Sequence, residues 1–419
     1  MTSHSSSLSV ANERGGVAEL AQSFRERRAS PVDALAACLQ RIDRLNSAVN
    51  AFITVARESA IEAAERAASD FEHGEIKGPL HGVPVAVKDF FDTARIRTTA
   101  GADVFRNRVP ARDAAAVARL KNAGAVIVGK TNMHAFGMGT TGLESAFGPV
   151  RNPWDAEFIA GGSSSGSAAA DATGMCSATL DTDAIGSCRL PAACCGVVGF
   201  KGSFGLIDLA GILGDAPPPS EDIRWLAHAG VTARHVEDVA ILLDTLADPP
   251  LRPPGLSYRD RLDDEVTLKV GVADNLAADA SVASAFERAA ATIRELGLET
   301  KRVAAPLTDF RKGVADIESE RRTIAERAFA EIDLIVLPTT PRPTPRIADA
   351  VDDPLALSAE LTAFANFYGL PAVSAPCGLD QRGLPIGLQI VGKPGADLAV
   401  LQLAHRYRKA APFDNRVLS

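Results

Sequence analysis

GGSSSGSAAA, residues 161–170, is built from glycine, serine and alanine alone. So little side chain cannot fill a core, which leaves a flexible linker, a phosphate-cradling loop, or a turn that presents a hydroxyl. A linker belongs between polar segments, yet this run leads straight into AAADATG, whose alanines favour helix. A phosphate loop has suitable geometry, since helix N-termini attract anions. However, no Lys-Ser/Thr closes the run and no G-x-G-x-x-G follows a strand. The hydroxyl reading is left, because small residues opening a helix let backbone and side chains approach closely.

Around this turn the chain alternates helix and strand. VDALAACLQRIDRL and ESAIEAAERAASDF space their apolar residues as two amphipathic surface helices within 17–70. GPLHGVPVAVKDFFD (78–92) is a valine-rich strand entered from a turn, with Val83, Val85 and Val87 leading to Lys88. AAAVARLKNAG (114–124) reads as a helix closed by Gly124, and AVIVGKTN (125–132) as the strand that follows. RHVEDVAILLDTLAD (234–248) and 282–298 are further helices; LKVGVADN (268–275), IDLIVLP (332–338), PAVSAPCG and PIGLQIVG (371–392) are further strands. DPPLRPPG (248–255) is the best internal linker, too short to imply two domains. The pattern predicts a single large α/β domain with a mixed β-sheet covered by helices on both faces. It would span 17–419, behind a disordered lead at 1–16.

The totals exclude several functions. Of 419 residues, 46% are hydrophobic and 23% charged, an ordinary balance for a folded globular chain, and the net charge is −8. Without a basic cluster there is no nucleic-acid footprint. No apolar run is long enough to span a membrane, and the N-terminus has no signal-peptide pattern, so a cytoplasmic location is expected. The six cysteines form no C-x-x-C pair and read as reduced, buried residues. The seven histidines lack ligand spacing, so no metal site is expected.

Two versions of the hydroxyl reading follow. Residues 162–166 satisfy G-x-S-x-G, the elbow of an α/β-hydrolase esterase with Ser164 as nucleophile. That mechanism requires a histidine, and His228, His235 and His405 have no supporting motif. The other version rests on several ordered stretches: Lys88 in GVPVAVKDFFD, GGSSSGSAAA, and DTDAIGSCRLPAACCGVVGFKGSFG (181–205). With them come VIVGKTNMHAFGMG (126–139), SAFGPVRNPWD (145–155), ARHVEDVAILLD (233–244), VLPTTPRPTPR (336–346) and GLPAVSAPCGLDQRGLPIGLQIVG (369–392). Together these resemble the amidase signature family, from about residue 20 to about 410.

The resemblance implies an amidohydrolase that cleaves the C–N bond of a small-molecule amide without a cofactor. By motif, Ser187 is the nucleophile, Ser163 the serine bridged through a cis peptide, and Lys88 the base. Ala184, Ile185 and Gly186 are implied as the oxyanion loop, with Gly162, Ser164, Asp183 and Arg189 in support. The implied partner is the amide substrate, with no nucleic acid or membrane, and homo-oligomerisation is left open. The sequence departs from the family pattern in three places. Asp181 and Ile185 stand where glycine is usual, and the segment between 298 and 336 is short. A positive φ at Ile185 is strongly disfavoured for a β-branched residue. This keeps a non-catalytic or weakly active relative in view as the alternative.

Overall fold

The apolar runs become strands of one sheet, and the turns between them carry the polar functional groups. The computed structural model describes residues 15–217, 219–308, 317–414 and 417. In chain order the strands are β1 Phe52–Val55, β2 Pro84–Lys88, β3 Val126–Thr131, β4 Ala178–Asp183, β5 Val198–Lys201 and β6 His228–Ala233. Then follow β7 Lys269–Ala273, β8 Glu299–Val303, β9 Leu334–Pro338, β10 Ala372–Leu379 and β11 Pro385–Gly392. They form a mixed 11-stranded sheet in the order β1-β3-β2-β4-β6-β5-β10-β11-β9-β7-β8. β2 pairs parallel with both β3 and β4, whereas β4–β6, β6–β5, β5–β10, β10–β11 and β11–β9 are antiparallel.

Helices cover both faces, as the alternation predicts, and the architecture is one large α/β domain. On one face Phe24, Val117, Val239, Leu242, Phe286 and Leu403 meet Val85, Val87 and Leu180 of the sheet. On the other, Leu39, Ile42, Ala168, Ala172 and Leu190 meet Ala86, Val126 and Val128. Burying alternate side chains of the central strands on opposite faces turns both faces into core.

The details differ from the sequence reading in places. The region 17–70 holds three helices, Val17–Arg25, Pro31–Val49 and Arg57–His73, and the edge strand β1. Residues 1–14 of the expected lead lie outside the described residues. Gly15 is packed: its carbonyl accepts from Arg234 Nη2 (3.0 Å) and Ser177 Oγ (3.2 Å). The 248–255 connection does not divide the sheet, since β7 and β8 beyond it join through β9. Asp248 at its start donates its N–H to Leu206 O at 2.7 Å. All six cysteines are free thiols, five of them buried. No helix among the described residues is long and apolar enough to cross a membrane.

Candidate active site

Lys88 ends β2, where alternation sends Val85 and Val87 into one core and leaves the lysine on the side of the helix Ser165–Ala172. It has no solvent exposure. Its Nζ lies 2.7 Å from Ser163 Oγ, 2.8 Å from Ser164 Oγ and 2.9 Å from Thr182 Oγ1. Burial lowers its pKa to about 8, against the pull of the Asp181 and Asp183 carboxylates. An ammonium group offers three N–H donors to these three oxygens; the neutral amine offers two donors and one lone pair.

The glycine–serine turn is small because other backbone crowds it. The Gly162–Ser163 peptide is cis. A Cβ on Gly162 would lie 2.8 Å from Gly142 N and 2.9 Å from the Thr140 carbonyl carbon. Ser163 O in turn accepts the His134 N–H at 3.1 Å. The segment 134–142 therefore wraps the turn closely and fixes where the Ser163 hydroxyl points.

Ser187 follows β4 and is buried. Its carbonyl accepts the Ser164 N–H at 3.2 Å, which ties the two serine loops together. Asp183 organises the rest of this loop. Its carboxylate accepts from Gly186 N (2.7 Å), Cys188 N (3.1 Å) and Asn366 Nδ2 (2.9 Å). Arg189 adds a two-pronged contact, Nη2 to Oδ1 at 2.9 Å and Nε to Oδ2 at 3.0 Å. Burial works against this carboxylate, but Arg189, Lys201 and Asn366 prevail and hold its pKa well below the usual range. The remaining Arg189 N–H bonds reach Thr362 O, Gln389 Oε1 and Asn366 Oδ1. The buried ion pair is thus fully hydrogen-bonded, as such pairs must be to persist.

In the expected oxyanion loop one N–H is already engaged. The 185–186 peptide is held at both ends: Gly186 N–H goes to Asp183, and Ile185 O accepts from Thr362 Oγ1 at 2.5 Å. Gly186 is therefore not a free donor. The N–H groups of Ala184, Ile185 and Ser187 have no acceptor among the described residues. The positive φ of the loop falls on Gly186, at +140°, and not on Ile185. Isoleucine in place of glycine thus costs no left-handed strain, and its half-buried side chain packs against the adjoining core.

Lys88, Ser163, Gly162, Ser164, Asp183, Arg189, Ser187 and the 184–186 loop come together in one buried region. The Thr182 hydroxyl is a direct partner of Lys88 as well. Thr362, Asn366 and Gln389 were not singled out, because nothing local marks residues that act only after the chain returns. Burial alone does not mark the base either. Lys130 is equally buried, with its pKa pushed to about 8 by desolvation, but it contacts Phe91 O and the hydroxyls of Thr93 and Thr98. The esterase arrangement is not formed: Ser164 Oγ meets Lys88 and the Thr182 backbone oxygen, and no histidine is among its partners. His228 Nδ1 is bound to Leu226 O and His405 Nε2 to Asp263.

A family model described as Amidase matches residues 33–312 and 308–401. The chain belongs to the amidase family. This amidase is 35% identical to a glutamyl-tRNA(Gln) amidotransferase subunit from Geobacter metallireducens, over 94% of this chain and 97% of that one. Its fold matches 6-aminohexanoate cyclic dimer hydrolase, solved with its substrate, at a TM-score of 0.82 and 27% identity. That match covers 96% of this chain and 98% of the other. It also matches the peptide amidase of Stenotrophomonas maltophilia at a TM-score of 0.81 and 26% identity, covering 94% and 96% of the two chains. The activity class is that of an amidase, a hydrolase of carbon–nitrogen bonds other than peptide bonds.

Proposed function

We propose that this amidase hydrolyses a small-molecule amide through an acyl-enzyme on Ser187, with Lys88 as base acting through Ser163. The observation that carries the reading is the 2.7 Å contact between a fully buried Lys88 Nζ and Ser163 Oγ. A serine hydroxyl becomes a competent nucleophile only when a base accepts its proton, and lysine is a base only when neutral. With its pKa near 8, a useful fraction of Lys88 is neutral around neutral pH. In that state its two N–H bonds suit Ser164 and Thr182, and its lone pair suits the Ser163 O–H.

In the first step Ser187 Oγ attacks the amide carbon. Its proton passes to Ser163 Oγ while the Ser163 proton passes to Lys88. The C–N bond then breaks as Lys88 returns a proton through Ser163 to the leaving nitrogen, which departs as ammonia or an amine. Water attacks the acyl-enzyme with the same relay reversed, releasing the carboxylic acid and restoring Ser187. The N–H groups of Ala184, Ile185 and Ser187 are the donors available to the oxyanion, each worth a few kcal/mol in comparable sites (about 3–4).

The test is labelling with a fluorophosphonate, read by intact mass and peptide mapping, in wild type and in Lys88→Ala, Ser163→Ala, Ser164→Ala and Ser187→Ala. The expected result is a single adduct on Ser187, weakened strongly in Lys88→Ala and Ser163→Ala. An adduct on Ser164, or none on a folded protein, overturns the reading.

A further inference from the structure

Asp181 is a carboxylate where the family pattern has glycine, and the relay described above does not use it. Leu180 pairs with Val87 across parallel strands, so Asp181 sits beside Lys88 on the neighbouring strand. It has no solvent exposure. Two hydroxyls fix its Oδ2: Thr179 Oγ1 at 2.6 Å and, from β6, Thr232 Oγ1 at 2.9 Å. The Ser167 hydroxyl, on the helix Ser165–Ala172, also favours the ionised form, and Oδ1 meets no partner at ordinary hydrogen-bond distance among the described residues. A buried carboxylate in this state is costly unless a cation faces it.

The ionisable groups around the pair come from every packed element. Lys88 is faced by Asp181, Asp183 and Cys188, with His134 near enough to feel its charge. Asp181 acts in turn on Asp171 of the helix Ser165–Ala172, on Cys176 and on Cys188, while Arg234 neutralises Asp171 at 2.9 Å. Arg234 is thus committed to Asp171; burial pushes the Asp181 carboxyl up, and Lys88 is the largest charge that opposes this and favours its ionised form.

We propose that Asp181 is a positioning residue of the lysine base, a fixed carboxylate that stabilises the ammonium as Lys88 takes the serine proton. This rests on the reading of Lys88 as base. When the Ser187 proton moves to Ser163 and the Ser163 proton bonds to Nζ, the new positive charge appears beside Asp181 rather than in an apolar wall. The carboxylate has two opposed effects. It makes the amine a stronger base, and it reduces the fraction that is neutral at a given pH.

The experiment is the pH dependence of the fluorophosphonate labelling rate of Ser187 in wild type, Asp181→Asn, Thr232→Val and Lys88→Ala. Removing a nearby opposite charge lowers a lysine pKa, by about one unit or more at close range. The rising limb of Asp181→Asn is therefore expected to move to lower pH by about that amount, with a lower plateau rate. Thr232→Val, which weakens one hydrogen bond to the carboxylate, shifts the limb the same way by less. It also decides the matter if Asp181→Asn does not fold. A purely structural role lowers the plateau and leaves the midpoint in place, and an unmoved or raised midpoint overturns the proposal. If Lys88→Ala keeps the same limb as wild type, the base assignment itself has failed, and the role of Asp181 with it.

Discussion

Replacing Lys88 with methionine separates the stability cost of the site from its chemistry. The buried ammonium has its pKa lowered from 10.5 to about 8, so the folded protein gives up this proton more readily than the unfolded chain. Stability contributed by the neutral lysine is therefore absent below the folded value. It grows as pH rises through about 8 towards 10.5, because there the unfolded chain binds more protons than the native one. Integrating between about pH 7 and about pH 10 gives a gain of roughly 2–3 kcal/mol from this residue alone. Lys88→Met lacks that gain. Other alkaline titrations, including that of Lys130, are common to both proteins and cancel in the difference. Any rise in the pKa of Asp181 once its cation is gone makes the variant lose stability with pH and widens the gap. Urea denaturation of both proteins at the two pH values is the assay. A wild-type gain that exceeds the variant's by less than about 0.5 kcal/mol would mean that burial barely shifts this lysine. It could not then serve as a neutral base, and the reasoning would fail.

Asp183→Ala leaves the Arg189 guanidinium buried without its carboxylate and frees the Gly186 and Cys188 N–H groups, a loss of about 3–5 kcal/mol. With unfolding entropy of about 2.1 cal/mol/K per residue over 419 residues, the melting temperature should fall by roughly 3–6 °C; calorimetry showing no fall would contradict the role of Asp183 in holding the loop together. Gly186→Ala adds a Cβ 2.5 Å from Thr362 Oγ1 and 2.9 Å from Leu190 Cγ at a φ of +140°. It should abolish Ser187 labelling while far-ultraviolet circular dichroism stays native, and full labelling would show that the loop geometry is dispensable.

The sequence makes some of this architecture plain and hides the rest for physical reasons. The valine and isoleucine runs of β2, β3, β7, β9, β10 and β11 announce themselves because both faces are buried. β4 does not, since ATLDTD mixes apolar residues with buried threonines and aspartates whose partners, such as Lys88, Thr232, Arg189 and Asn366, lie mostly on other elements. β1 is four residues at an edge, too short for a period to show. Within the site, Lys88, Ser163 and Ser187 are legible as ordered motifs and Asp183 and Arg189 as supporting residues, but their pairing with each other shows only in the structure. What one chain segment cannot display is which N–H groups are already taken. That Gly186 is committed to Asp183 follows only once Thr362 and Asn366 are in place, about 180 residues downstream.

The position of β10 and β11 in the sheet sets a timetable for synthesis. β5 is complete at Lys201, but its partner β10 and the strand that joins it to β9 end only at Gly392. The ribosome adds those intervening residues in about 10–40 s at ordinary elongation rates. Through that interval the nascent chain carries an open β5 edge at the centre of its future sheet, joined by an open β9 edge once Pro338 is made, the kind of surface that recruits other chains. Slow translation of the last quarter of the message would lengthen that exposure, and a chaperone that shields β5 and β9 would be needed most then.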